Sequence, residues 1–217
     1  MSKLGERKTM PATQQPSAKA KILNAALSVI RGNGYAATTV DGLCAVAGVS
    51  KGAFFHHFES KEDLAVAAAE HWSEMTGGLF AAAPYHKPAD PLDRLLGYID
   101  FRKALLKGDL PEFTCLVGTM VQETYASNPA IREACARSIT GHAATLEADI
   151  REAMAKYPIS PGWTASSLAL YTQAVLQGAF IIAKAKGNAK DAAACIDHLR
   201  RYVELLFNQP PKKEKTR

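Results

Sequence analysis

Residues 51–58 read KGAFFHHF, which sets two histidines and three phenylalanines between Lys51 and Lys61. Those residue types suit four kinds of chemistry: a metal centre, a catalytic imidazole, a small aromatic core, or a surface that grips an anion. Neighbouring residues on a helix point about 100° apart, so His56 and His57 are poorly placed to share one ion, and no third ligand lies nearby. No metal site is expected. A catalytic histidine needs a nucleophile or carboxylate partner, and the chain carries no GxSxG, HExxH or glycine-rich phosphate loop. No enzyme and no cofactor are expected. The four cysteines, Cys44, Cys115, Cys135 and Cys195, form no CxxC pair and no zinc or disulfide spacing, which fits reduced thiols in a cytoplasmic protein. The aromatic cluster therefore divides: Phe54 and Phe58, four apart, face inward, and Phe55 with His56 faces outward.

The elements around this stretch are short. Residues 1–16 carry two prolines and no apolar period, and read as a flexible arm rather than a signal segment. Ser17 caps a helix ending at Gly32-Asn33-Gly34, with Ile22, Ala26, Val29 and Ile30 on one stripe. Thr39 caps Val40–Val46, with Val40, Leu43 and Val46 expected inward. Gly48 makes the turn, Ser50 caps the helix holding KGAFFHHF, and Ser60 caps a helix running to about Gly77. Five further helices are expected at Pro91–Leu106, Phe113–Tyr125, Ile131–Lys156, Trp163–Lys186 and Lys190–Asn208. The last stretch, 208–217, reads as a disordered basic tail. The fold class is all-α with nine helices. No run of eighteen apolar residues suggests a membrane span.

Charge is uneven along the 217 residues. Residues 1–61 hold eight Lys and Arg against three Asp and Glu, whereas residues 62–217 hold eighteen of each. A small basic module on a nearly neutral body suits a nucleic-acid reader, because phosphate neutralisation dominates that kind of affinity.

Three short helices with a glycine turn between the second and third make a helix-turn-helix. The stretch TTVDGLCAVAGVSKGAFFHHFESKEDL resembles the DNA-binding signature of the TetR family of bacterial transcriptional repressors, closely over residues 17–64 and in layout beyond. The resemblance implies a DNA-binding domain at 17–61 and an effector-binding and dimerisation domain at 62–207. It implies Thr39 and Lys61 on phosphates, Ser50, Lys51 and Gly52 on bases or phosphates, and Phe55 and His56 along the groove wall. Cys44 stands where alanine is more usual, and Phe55 where a phosphate-binding tyrosine often stands.

The same resemblance implies a pocket between about residues 90 and 186. Residues that interrupt its apolar stripes are the candidates: Tyr98, Phe101, Cys115, Met120, Glu123, His142, Trp163 and Tyr171. Gln177, Gly178 and Ile182 on one helix, with Leu199, Tyr202, Val203 and Leu206 on the next, suit a four-helix interface between two copies. The expected function is a homodimeric repressor that binds a palindromic double-stranded DNA operator and is released by a small, partly apolar effector. Two alternatives stay open: a thiol sensor of electrophiles using Cys115, and a DNA-binding protein of the same fold without an effector.

Overall fold

The computed structural model describes residues 16–159 and 162–208. Apart from Pro16 and Asn208, the expected arm and basic tail lie outside the described residues. Within them the chain is all-α, with eleven α-helices, one 3-10 turn and no strand. The helices are α1 (Ala18–Asn33), α2 (Val40–Ala47), α3 (Lys51–His57), α4 (Lys61–Ala81), α5 (Pro91–Ala104), α6 (Leu110–Phe113), α7 (Leu116–Thr124), α8 (Pro129–Ala144), α9 (Glu147–Lys156), α10 (Ala165–Lys186) and α11 (Lys190–Leu206). The 3-10 turn is Pro84–His86.

The first four helices start where cap chemistry places them. The side-chain oxygens of Ser17, Thr39, Ser50 and Ser60 each accept the N–H three residues on, at 3.1 to 3.2 Å. Each such cap is worth about 1 kcal/mol. Gly48 ends α2 in the left-handed region at φ 63°, where a β-carbon is costly, and this turns the chain into α3.

The helix expected from Phe113 starts at Leu116 and is preceded by an unexpected short one, and the helix expected at Ile131–Lys156 is broken in two. Thr114 swings out to extended geometry and its hydroxyl donates to the Leu110 carbonyl at 2.8 Å, ending α6; α7 then restarts with the Cys115 sulfur accepting the Gly118 N–H at 3.4 Å. Further on, the Thr145 hydroxyl donates to the His142 carbonyl at 2.7 Å and the turn tightens to i→i+3 bonding, separating α8 from α9. Two boundaries also move. α4 continues through Gly77 and Gly78 to Ala81, and the last long helix of the body starts at Ala165, after a Thr164–Ser167 capping box, rather than at Trp163.

The core is continuous from the helix-turn-helix into the body. Leu43 and Phe54 are fully buried, and with Ile22, Ile30, Leu64 and Met120 they form one cluster that draws on α1 to α4, α7 and α8. A second cluster lies at the far end, where α5, α9, α10 and α11 meet around Tyr98, Ile99, Ile150 and Leu176. Val46 departs from its expected inward position: it is 61% exposed, and Ala47 packs against the core instead. Among the described residues α10 is long and apolar enough to cross a membrane, but 44% of its apolar window is buried against the rest of the fold.

The α5 end of the body is fastened by one carboxylate. Asp90 accepts the Leu92 N–H at 2.8 Å, the Lys156 ammonium at 2.7 Å and the Tyr157 hydroxyl at 2.8 Å. Burial alone would raise its pKa, but these three donors outweigh it and hold the carboxyl at about 2. Because the folded value lies below the unfolded one, the stabilisation is complete above about pH 4 and is lost as pH falls towards 2. Asp90→Asn is therefore expected to lose about 1–2 kcal/mol at pH 7, allowing for screening at a partly exposed site. Denaturant unfolding of both proteins across a pH series should show that deficit shrinking below pH 4.

Candidate nucleic-acid interface and internal cavity

The outward face of α3 is built as expected. Phe54 is fully buried and Phe58 nearly so, their rings 5.6 Å apart, while Phe55 is 52% exposed and touches Phe54 edge-on at 5.2 Å. Ser50, Lys51, Gly52 and His56 are exposed beside Phe55. His57 is half-buried with its ring against His56. A β-carbon on Gly52 would meet nothing closer than the Ser50 hydroxyl at 3.8 Å, so the fold itself does not require glycine there. Lys51 pairs with Asp41 of α2 at 2.9 Å, an exposed ion pair that leaves the ammonium in solvent.

Lys61, expected on a phosphate, is engaged within the fold. Its ammonium donates to the Tyr35 and Thr38 carbonyls, at 3.3 and 3.1 Å, and lies 4.4 Å from the Tyr35 ring centre. It clamps the α1–α2 connector to the start of α4. On the opposite side Glu123 of α7 accepts the backbone N–H groups of Tyr35 and Ala36, at 3.2 and 2.7 Å. Gly34, at φ 86°, leaves room for that carboxylate where a β-carbon would collide with it. Glu123 thus fastens the α1–α2 connector to α7 and does not line the internal cavity. The Tyr35 hydroxyl completes the clamp by donating to Glu62 at 3.3 Å; burial, then the Glu62 charge, pushes its pKa up to about 12.

Behind this clamp lies a cavity of about 240 Å³ between α1, α4, α5, α7, α8 and α10. Two of the expected pocket residues line it, Cys115 and His142. Tyr98 is fully buried one step behind: its hydroxyl lies 2.9 Å from His142 Nε2 and accepts from Gln173 at 2.9 Å. Burial, aided by the nearby Arg102 charge, pushes the His142 pKa down to about 4, so the ring is neutral at physiological pH. The other expected residues lie elsewhere. Phe101 packs on Phe80 and Tyr85, Met120 is core beside α1, Trp163 stands edge-on to Phe207, and Tyr171 is 44% exposed against Tyr202.

The cavity also holds residues that sequence reading passed over. Trp72, Phe80, Phe113 and Phe180 supply aromatic wall, and Arg31 and Arg102 supply charge. Arg31, from α1, donates to the Leu27 carbonyl at 2.7 Å and the Glu112 carbonyl at 3.1 Å, and stacks 5.0 Å from the Trp72 ring centre. Burial lowers its pKa, with the Cys115 and Glu112 charges pulling the other way. Arg102 was detectable as a cation on the α5 stripe, three residues after Ile99; Arg31 gave no such sign at the end of its helix.

Four of the expected dimer residues are spent inside the subunit. Gln177 lines the cavity and presses its side-chain oxygen against Gly118. Leu199 and Val203 are buried core, and Leu206 packs on the same cluster. Gly178, Ile182 and Tyr202 remain accessible, joined by Leu170, Ile181 and Leu205 on one apolar stripe of α10 and α11. Leu199 and Val203 lie on the inward stripe of α11, since periodicity marks an apolar face without saying whether its own subunit or a second copy covers it.

Comparison with known proteins agrees with this arrangement. Residues 22–68 match the family described as bacterial regulatory proteins, tetR family, and residues 91–199 match the tetracyclin repressor-like C-terminal domain. A Bacillus subtilis protein described as the uncharacterized HTH-type transcriptional regulator YerO is 38% identical over 58 residues, which is 27% of this chain and 20% of that protein's length. A TetR transcriptional regulator from Chloroflexus aurantiacus is similar in structure at a TM-score of 0.74 and 26% identity, covering 86% of this chain and 93% of that one. The reduced form of Escherichia coli NemR shares the fold at a TM-score of 0.76 and 19% identity, covering 89% and 98%. With a family match at each end of the chain, and a glycine-turned α3 held out on a core shared with the body, the chain belongs to the TetR family of DNA-binding, helix-turn-helix transcriptional regulators.

Proposed function

We propose that two copies of the chain pair through the exposed stripe of α10 and α11 and bind a palindromic DNA operator, each placing α3 in a major groove. The DNA-reading unit is residues 17–61, the effector-binding and dimerising body is 62–207, and the protein works as a cytoplasmic repressor. The observation that carries the reading is the outward face of α3. Its cap, Ser50, Lys51 and Gly52 stand at one end, Phe55 and His56 follow, and none of these side chains except the Ser50 cap is needed by the core. Thr39 at the start of α2 takes a phosphate alongside. A small, partly apolar molecule in the cavity then displaces α1, α4 and α7 and weakens the fit to the operator.

Selection of bound duplexes from a randomised pool, followed by fluorescence anisotropy over a salt series, tests this. A log–log slope of affinity against salt of roughly −4 to −8 is expected for two modules each neutralising several phosphates. A flat response removes the DNA-binding reading.

Gly52→Ala separates folding from recognition. Alanine is the better helix former, so stability should rise by about 0.5–1 kcal/mol, measured by thermal or denaturant unfolding. Operator affinity should fall all the same, because the added methyl keeps the backbone from the groove. Lys51→Ala should cost at least about 1 kcal/mol of operator binding with little loss of stability, since its exposed pair with Asp41 contributes little to folding.

Pairing is tested by charge. Ile182→Glu, on the exposed stripe, should give a folded monomer in sedimentation velocity and weaken operator binding by at least about tenfold, whereas a dimer of normal stability would place the interface elsewhere.

A second reading rests on Cys115. It is half-exposed at the cavity, whereas Cys44 is buried, and burial pushes the thiol of Cys135 up to about 12. In this reading the Cys115 sulfur adds to the β-carbon of an α,β-unsaturated carbonyl compound, the thiol proton passing to the α-carbon. Peptide mass mapping after limited N-ethylmaleimide treatment should find Cys115 modified before Cys44 and Cys135, with release of the operator. Cys115→Ser should abolish that release and leave operator binding intact.

A further inference from the structure

The walls of the cavity are mostly apolar, yet they carry two guanidinium groups: Arg31, which feels the Glu112 charge, and Arg102, which has no carboxylate partner among the described residues. Arg31 has two of its donors on backbone carbonyls, and the carboxylate of nearby Glu112 is engaged by the Asp109 N–H at 2.8 Å. Arg102 is more exposed in its chemistry. No carboxylate among the described residues pairs with it, although the neighbouring cations of α5 and α11, Arg94, Lys103 and Arg200, all have one. Its polar neighbours in the wall are neutral: His142 Nε2, at a long 3.5 Å, and the Tyr98 hydroxyl.

The rest of the surroundings position this cation without neutralising it. Its guanidinium carbon lies 5.2, 6.0 and 5.6 Å from the ring centres of Phe80, Tyr98 and Phe180. Ring faces hold a planar cation by its quadrupole attraction and leave its in-plane N–H fork unspent. The chain of donors behind it runs one way. Gln173 donates to the Tyr98 hydroxyl, which is hydrogen-bonded to His142 Nε2, and the neutral ring brings no negative charge. A half-buried guanidinium whose polar neighbours are all neutral is better satisfied by an anion, and a carboxylate matches its fork with two parallel hydrogen bonds.

We infer that the cavity takes an organic carboxylate with an apolar body, its carboxylate held by Arg102 with Arg31 adding charge from α1. Met75, Leu79, Leu105 and Leu106, with Trp72 and Phe113, take the body of the ligand. The inference rests on the reading of this cavity as the effector site and narrows the chemistry of what enters. It also gives α1 a direct part in the response, since Arg31 belongs to the helix that braces the DNA-reading unit.

Isothermal titration of the full chain with 2-naphthoate and octanoate, beside 2-naphthamide, octanamide and octylamine, tests it. The two carboxylates distinguish a planar from an aliphatic body. The better one should bind at least about tenfold tighter than its amide, and the amine should bind weakest. Arg102→Gln should remove the preference for carboxylate over amide, and Arg102→Lys should keep much of it. Equal or tighter binding of an amide or the amine to the unaltered protein overturns the inference, as does failure of both carboxylates to bind at millimolar concentration. That comparison does not depend on how the variants fold. Operator release is read separately: carboxylates that bind through Arg102 without releasing DNA overturn the effector reading and leave the pocket chemistry standing. Neutral compounds that bind here and release DNA, with no preference for carboxylates, do the reverse.

Discussion

The Glu123 carboxylate, accepting the backbone N–H groups of Tyr35 and Ala36, fixes how the helix-turn-helix sits on the body. The connector it grips has little regular structure of its own, and two exposed donors there would otherwise be shared with water. Lys61 and Glu62 hold the same connector from the start of α4, through the Tyr35 and Thr38 carbonyls and the Tyr35 hydroxyl. Charge-assisted bonds of this kind are roughly twice as strong as neutral ones, and here they act on backbone and so set direction as well as energy. With the connector pinned from α7 and α4, the orientation of α2 and α3 follows from the body.

The same helices build the cavity. α7 starts at Cys115 on the cavity wall and carries Glu123 about two turns later, while α1 carries Arg31 into the wall and buries Ile22 and Ile30 in the core under α3. Close-packed interiors do not deform smoothly, so a ligand that shifts these helices is expected to move the reader as a unit or not at all. In the proposed cycle α4 shares that motion with α1 and α7. The proposed division at residue 61 would thus be one of role only, since one core cluster spans both sides of it.

Much of this was legible in the sequence where local chemistry decides the outcome. Four side-chain caps, the left-handed Gly48 and the Phe54–Phe58 pair each follow from a few neighbouring residues. The breaks at Thr114 and Thr145 were not legible, because in each a threonine hydroxyl competes for a helix carbonyl only once tertiary packing has bent the chain. Cys115 hid a cap because sulfur is a weak acceptor and is seldom used that way. Periodicity makes α11 amphipathic without saying which stripe meets its own subunit, and Leu199 and Val203 prove to face inward. The cavity was the least legible part. Its defining groups, Arg31, Trp72, Arg102 and Phe180, come from four helices and are assembled only by the fold.

The clamp at Glu123 is the most direct place to test whether body and reader act as one. Operator affinity of Glu123→Ala should be measured against the unaltered protein on the same selected duplex, with helix content and unfolding followed in parallel. The account predicts a folded dimer whose operator binding is weaker by at least about tenfold, although the altered residue lies on α7 and not on the α3 face. Full operator affinity in a folded Glu123→Ala protein would contradict it.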